Sequence, residues 1–331
     1  TDESQVTAYA TPRRLAVHIS HVKPRSADQP VRWKLMPLVV AQDAAKNWTA
    51  AFLKKLESLG RGHLGKLALG AVDGPDCLVV EGDGKAEAVF LNSVAQGSVL
   101  ANGLQEALDE ALAKLPIVKT MSYQLADGVT TVQFVRPAHR LVALHGHAVL
   151  PVQALGLLAG TKTFGHRFHA AGELAIHSAD TYEEQLRREG HVMASFEARR
   201  TAIEQELRSA AHALQAAPVM PDALLDEVTA LVEWPSVYES GFEVEFLTVP
   251  QECLILTMQQ NQKYFALKDM SGHLHNRFLL VSNIKTHDPS AIVTGNARVV
   301  RARLADAKFF FDQDRKQTLE SRVSGLASVV Y

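Results

Sequence analysis

Cysteine is nearly absent: Cys77 and Cys253 are the only two in 331 residues. They are too few and too far apart for a disulfide framework or a cysteine-rich zinc site. No apolar run approaches the roughly 20 residues that a membrane-spanning helix needs, so no membrane partner is expected. The HExxH, GxSxG and GxxxxGK[ST] signatures are missing. Nothing in the sequence therefore cradles ATP, and no cofactor is expected in this chain. Charge of one sign is lacking too, since 34 Lys+Arg against 36 Asp+Glu leave a net charge of -2 and a pI near 6.7. The molecule as a whole has no electrostatic attraction to nucleic acid or anionic membrane, so any such contact must use a local patch. The chain opens on Thr1 with no basic-then-apolar leader, from which we expect a trimmed piece rather than a secretory precursor.

What is present is an ordinary globular composition, 47% hydrophobic and 21% charged, able to bury a sizeable core. "RRLAVHIS" alternates as a strand with Leu15, Val17 and Ile19 on one face. A polar, Pro-containing linker follows. Trp48, Phe52, Leu56 and Leu59 then fall at helical spacing before Gly60. Strand-like runs surround Leu67, Leu78 to Val80 and Val89 to Leu91, and a second helix carries Leu100, Leu104, Leu108 and Leu112. From about Met121 the pattern is richer in strands, with "VTTVQFVRP", "RLVALHGH" and "AVLPVQALGLL" as successive runs. Helices are expected in "DTYEEQLRREG", "SFEARRTAIEQELRSAAHALQAA" and "PDALLDEVTALVEWP". A hairpin is expected around Asp269 to Gly272, and helix from Pro289 onward. No internal repeat appears. The expected fold class is α+β: an N-terminal α+β region over 1–118, a β-rich region over 119–288 with a helical insertion near 180–232, and a helical segment over 289–331.

Chemistry-bearing residues are scattered. His145 with His147, His166 with His169, and His273 with His275 are close pairs, each without a third ligand at a recognisable spacing. Such pairs fit solvated or hydrogen-bonded imidazoles better than a metal site. A stand-alone hydrolase using His166, His169 or the pair His145 and His147 is the alternative they leave open. Glu183–Glu184 and Asp312–Asp314 suit solvated helix faces rather than acid/base dyads. Cys253, beside Leu254, Ile255 and Leu256, is expected as a buried small filler. Trp234, Tyr264 and Phe265 are expected as apolar anchors, with Glu233 and Lys263 at their rim.

The most informative stretch is "GNARVVRARLADAKFFFDQDRK", residues 295–316. As a helix it places Val300, Leu304, Ala307 and Phe311 on one side. Arg301, Lys308 and Arg315 recur every seven residues on another side, about 10.5 Å apart, a spacing able to follow an RNA backbone. Asp312 stands at ion-pair spacing from Lys308 and Arg315, so a solvated face is the competing reading. Arg13 and Arg14 in "TPRRLAV", and Arg167 between Phe164 and Phe168, are two further basic spots.

In order, "TPRRLAV", "KLPIVKTM", "FVRPAHR", "GHRFH", "LVEWP", "FLTVPQECLILTMQQNQKYF" and "GNARVVRARLADAKFFFDQDRK" resemble the β subunit of the bacterial tetrameric glycyl-tRNA synthetase, from about Thr11 to near the end. The resemblance implies a tRNA-recognising, non-adenylating subunit, with ATP, Mg²⁺ and glycine bound by a catalytic α subunit in a cytoplasmic α₂β₂ assembly. It implies a module similar to the B3/B4 domain of the phenylalanyl enzyme, with the 289–331 helix leading to an HD-type domain. Candidate tRNA contacts are Arg13, Arg14, Arg167, Arg298, Arg301, Arg303, Lys308 and Arg315. Ala302 and Lys308 depart from the Pro and acid of the family pattern, so the Arg301, Lys308, Arg315 row is no assured family device. Arg298, Arg301 and Arg303 match better, and inter-domain packing is their other reading. Editing is not expected, because a glycine site excludes larger side chains sterically. A third reading makes this portion a structural scaffold.

Overall fold

The alternation in "VTAYAT" and "RLAVHI" folds the start of the chain into an antiparallel hairpin. Strand β1 (Val6–Thr11) pairs with β2 (Arg14–Ile19) from Val6↔Ile19 to Thr11↔Arg14. The structure, a computed structural model, describes residues 3–82 and 87–328. Thr1, Asp2 and the last three residues of the expected 289–331 segment lie outside them. The chain forms two compact units: Thr1–Val22 with Arg136–Leu150 and Leu157–Tyr331, and Lys23–Val135 with Pro151–Gly156. This division differs from the one drawn at 118 and 288. Residues 6–19 belong with the distant partners that hydrogen-bond them, and a reading by sequence neighbourhood cannot see those partners.

In the second unit, β3 (Gln29–Pro37), α1 (Ala50–Ser58), β4 (Asp76–Gly82) and β5 (Glu87–Ala95) surround one core. The antiparallel order is β3, β5, β4 and then the short strand Val72–Asp73. The supposed polar linker is thus a nine-residue strand. Its prolines are tolerated because β3 is an edge strand, with Pro30 and Pro37 near its ends. The strand expected at Leu67 is instead the exit of a 3₁₀ turn, Gly62–Lys66. Thr49 caps α1 by accepting from Phe52 N at 3.4 Å. Phe52 and Leu56 of that helix bury against Leu78, Val89 and Leu91. Helix α2 (Leu100–Ala113) keeps its leucines only half-buried, and β6 (Met121–Gln124) pairs with β7 (Thr131–Phe134).

In the first unit, the strand pattern expected over 136–160 breaks into pieces of two to four residues. Strand β8 (Lys162–Phe164) pairs with β9 (Glu173–Ala175), followed by α3 (Tyr182–Arg188), α4 (Phe196–Ala213) and α5 (Asp222–Leu231). Beyond them lie β10 (Ser236–Gly241), α6 (Gln251–Gln262), β11 (Phe265–Lys268), β12 (Leu274–Ser282) and α7 (Ser290–Asp314). The sheet runs Ala217–Pro218, β11, β12, β10, all antiparallel. Both of its faces are covered, and the two-residue period sorts its side chains between them. Phe265, Leu267 and Leu279 pack with Ile203 and Leu207 of α4 and Leu225 of α5. Ala266, Phe278 and Leu280 pack with Leu254 and Met258 of α6 and Val300 and Leu304 of α7. Coverage on both faces explains why "RFLLVS" shows no polar alternation. Cys253 corrects an expectation: it is exposed while the adjacent Leu254 is buried, as neighbours about 100° apart on a helix allow.

Arg199 on α4 is fully buried. Its Nε donates to Thr229 O at 3.0 Å, its Nη1 to the carbonyls of Met193, Ala194 and Ser195, and its Nη2 to Ala10 O at 2.7 Å. Five carbonyls from β1, the α4 entry and α5 therefore share one guanidinium. Arg199→Met keeps the volume but leaves those acceptors unpaired, and is expected to lower unfolding free energy by about 3 kcal/mol or more. Urea denaturation measures it; a loss below about 1 kcal/mol would contradict the assignment.

Candidate nucleic-acid interface

Glu233, expected at a rim, is fully buried. Its Oε1 accepts from Thr11 Oγ1 at 2.8 Å and from Arg14 Nη1. The other terminal nitrogen of Arg14 donates to the carbonyls of Phe164 and Gly165. Arg14 is thereby committed to structure, joining β2, residue 233 and the end of β8. Arg13, with its side chain 43% exposed, approaches Glu233 Oε2 at 3.9 Å. The backbone beside Glu233 is fixed as well, because Asn283 Oδ1 accepts from both Glu233 N and Trp234 N at 2.7 and 3.1 Å. Burial draws the Arg199 guanidinium below its ordinary range, and the Glu233 charge opposes this. Burial also raises the Tyr9 phenol to about 12, helped by its hydrogen bond to Glu183.

Around this charge sits a file of rings. His166 stacks on His169 at 4.6 Å, His169 meets His191 at 6.1 Å, and His191 meets Trp234 edge-on at 5.4 Å. Two glycines permit the approach. A β-carbon on Gly165 would lie 2.7 Å from Gly190 O, and one on Gly190 2.7 Å from Leu186 O. His166 N donates to Gly190 O, and its buried Nδ1 accepts from Phe168 N at 3.2 Å. Among the described residues no group of three His, Cys, Asp or Glu side chains is placed to hold a metal ion. His145 and His147 flank a turn at Gly146 and bond separate carbonyls, Val22 O and His177 O. Arg167 lies at the exposed edge of the ring file, its guanidinium 5.9 Å from the Phe168 ring. A shallow groove of about 480 Å³ lies along Arg140, Thr161, Lys162 and Glu173, where Arg140 and Lys162 both pair with the one carboxylate.

Helix α7 carries Arg298, Arg301, Arg303 and Lys308, and Arg315 follows at its C-cap. Val300 and Leu304 are buried as expected. The seven-residue row is mostly occupied by the protein itself: Arg301 pairs with Glu243, Lys308 with Asp312 at 2.6 Å, and Arg315 lies 5.6 Å from the Phe311 ring. Arg298 and Arg303 are exposed, and their side chains make no hydrogen bond or ion pair with the described residues. At 100° per residue, Arg298 aligns with Phe309 and Arg303 with Phe310, each within about 20°. Both phenylalanines are largely exposed, at 57% and 64%. Helix α7 thus carries two separate lines about 140° apart around its axis, each an unpaired cation aligned with an open ring. A search for cations at seven-residue spacing misses these lines; the spacings of eleven and seven between Arg and Phe reveal them. Lys316, just past the helix, extends the Arg298 line.

His169 provides a pH probe of the site. Its Nε2 accepts from Lys285 N at 3.1 Å. Burial, then the neighbouring His166 and His191, hold its pKa below the ordinary 6.5. Because the folded pKa lies below the unfolded one, the stabilisation is complete above pH 6.5 and is lost as pH falls from there toward the folded value. Thermal melts between pH 5 and 7.5 are expected to show this fall. In His169→Asn, which keeps an acceptor but cannot titrate, the slope is expected to flatten; an unchanged slope would assign the effect elsewhere.

Comparison with known proteins gives the geometry its context. The family model described as glycyl-tRNA synthetase beta subunit matches residues 1–331. The glycine–tRNA ligase beta subunit of Leptothrix cholodnii is 59% identical over 335 residues, covering 99% of this chain and 45% of the relative. Those of Delftia acidovorans and Thiobacillus denitrificans are 58% and 56% identical, covering 100% and 99% of this chain and 46% of each relative. The chain spans about half the length of the curated relatives it matches. A match along the whole chain at this identity places it plainly: it belongs to the glycyl-tRNA synthetase beta subunit family.

Proposed function

We propose that this chain is the tRNA-handling, non-adenylating portion of a glycine–tRNA ligase. It acts in the cytoplasm with a catalytic α subunit in an α₂β₂ assembly, and ATP and Mg²⁺ are bound by that α subunit. The observation that carries the reading is family membership over residues 1–331. The geometry of α7 supports it. Cations without internal partners, aligned with exposed rings, suit RNA: each neutralised phosphate releases counterions, and unpaired bases stack on aromatic faces. Arg298 and Arg303 are the first contacts in this proposal, with Arg13 and Arg167 secondary. Arg301, Lys308 and Arg315 contribute less because internal partners already engage them. Arg14 acts through structure. The rival metal-dependent hydrolase draws no support from the histidines, which are arranged by ring stacking and backbone hydrogen bonds.

In the full-length protein assembled with its α subunit, Arg298→Glu with Arg303→Glu is expected to weaken tRNA binding by at least tenfold near 100 mM salt. It should also flatten the slope of log K against log salt by about two. Arg301→Gln with Lys308→Gln is expected to change affinity by less than about threefold. Equal effects of the two pairs would remove the assignment. Pyrophosphate exchange is expected with the α subunit and not with the 331-residue chain alone; exchange by this chain would overturn the division of labour.

A further inference from the structure

Two sequence motifs outside α7, "GHRFH" and "LVEWP", meet in the first unit at the ring file. His166 is its buried end, and the half-buried rings of His169, His191 and Trp234 continue it toward solvent. His191 lies in the left-handed region at φ 49°, which a β-carbon disfavours. Such backbone persists only where the surrounding structure holds it. The segment after β12 supplies that hold on the far side of the file. Asn283 Oδ1 accepts from Trp234 N, Lys285 N donates to His169 Nε2, and the Tyr238 hydroxyl donates to Ile284 O at 3.1 Å while accepting from Thr286 N at 3.0 Å. Lys285 is thus carried to the rings on a segment bonded at four successive residues.

Three cations border the rings. Lys285 and Arg167 are exposed, and their side chains make no hydrogen bond or ion pair with the described residues. Arg13 sits at the tip of the β1–β2 hairpin, which leaves Leu15, Val17 and Ile19 exposed to solvent along one side. The acid near Arg13, Glu233, is already bonded to Arg14. Phe168, 65% exposed, adds an open ring beside Arg167.

We infer that this patch binds an unpaired nucleotide of the tRNA, its base against the rings and its flanking phosphates on Lys285 and Arg167, an inference that rests on the tRNA-handling reading above and adds to it a second site. Stacking on aromatic side chains accepts any base, and phosphates favour cations without internal partners. The patch offers both side by side. Bases in a stem are stacked on one another and paired, so a ring file has nothing to gain from them. A nucleotide outside the stems uses the rings and the charges together. Because the segment 283–286 and the close glycines already fix the site, little ordering is left to oppose binding.

The experiment separates rings from charges in the full-length protein assembled with its α subunit. His191→Asn removes a ring and keeps a residue type that tolerates the left-handed backbone. It is expected to weaken tRNA binding by about fivefold or more, with the slope of log K against log salt unchanged. Arg167→Gln with Lys285→Gln is expected to flatten that slope by roughly 1.4, as for two phosphates of a single strand. A photo-crosslinking amino acid at Phe168 is expected to label nucleotides outside the paired stems. Unchanged affinity in His191→Asn, an unchanged slope in the double variant, crosslinks confined to a stem, or no crosslink to tRNA would each overturn the inference. Should His191→Asn unfold the site, the two exposed cations and the crosslink still decide it. Weakened binding on Arg298→Glu with Arg303→Glu, beside normal binding in all the variants here, would remove this site and leave the α7 assignment standing.

Discussion

A single buried carboxylate organises the first unit. Glu233 has no exposed surface, so its charge is tolerable only because Arg14 and Thr11 reach it from the N-terminal hairpin. Those contacts bridge more than two hundred positions of sequence and bring β1 and β2 against α3, α4 and α5. Arg199 finishes the joint from the other side by gathering the Ala10 carbonyl with four others. Removing either charge would strand the remaining groups in a dry interior. The hairpin's polar side therefore has to face inward, and its apolar side is left outward as a consequence.

Much of the fold was legible where local periodicity coincides with burial. The 3.6-residue pattern of α4 and α7 and the hairpin around Asp269 to Gly272 follow from side-chain spacing and turn residues, and the structure has them. The departures share a physical cause, because tertiary partners outvoted local pattern. The linker at 29–37 became a strand because β5 offered it an antiparallel ladder along its length, broken only by a register shift between Lys34 and Met36. Glu233 moved from rim to centre because distant cations came to it. Leu15, Val17 and Ile19 formed a face whose direction no alternation can specify, since period two identifies a face without saying which way it points.

The cationic helix was legible as a helix, but less so as a surface. Its seven-residue row of Arg301, Lys308 and Arg315 looked open because charge spacing ignores partners from elsewhere. Glu243 lies 58 residues upstream of Arg301, and no helical repeat announces that pair. Only the Lys308–Asp312 pair was within reach of an i,i+4 rule. Arg298 and Arg303, which stay unpaired, were in view from the start, but nothing in their own spacing set them apart from the engaged cations.

The attachment of α7 has a mechanical consequence. Its first half is clamped: the Tyr264 hydroxyl donates to Asn296 Oδ1 at 2.5 Å, Ser240 Oγ donates to Val293 O at 3.1 Å, and Leu304 is buried. The ten residues after Leu304 extend the helix by about 15 Å and bear the open phenylalanines near their middle. Phe311, seven residues past Leu304, still packs on the same core cluster. The helix is therefore seated along its inner side for nearly its whole length, and a push on the exposed Phe309 and Phe310 is carried into the core through Leu304 and Phe311 rather than through the helix ends alone.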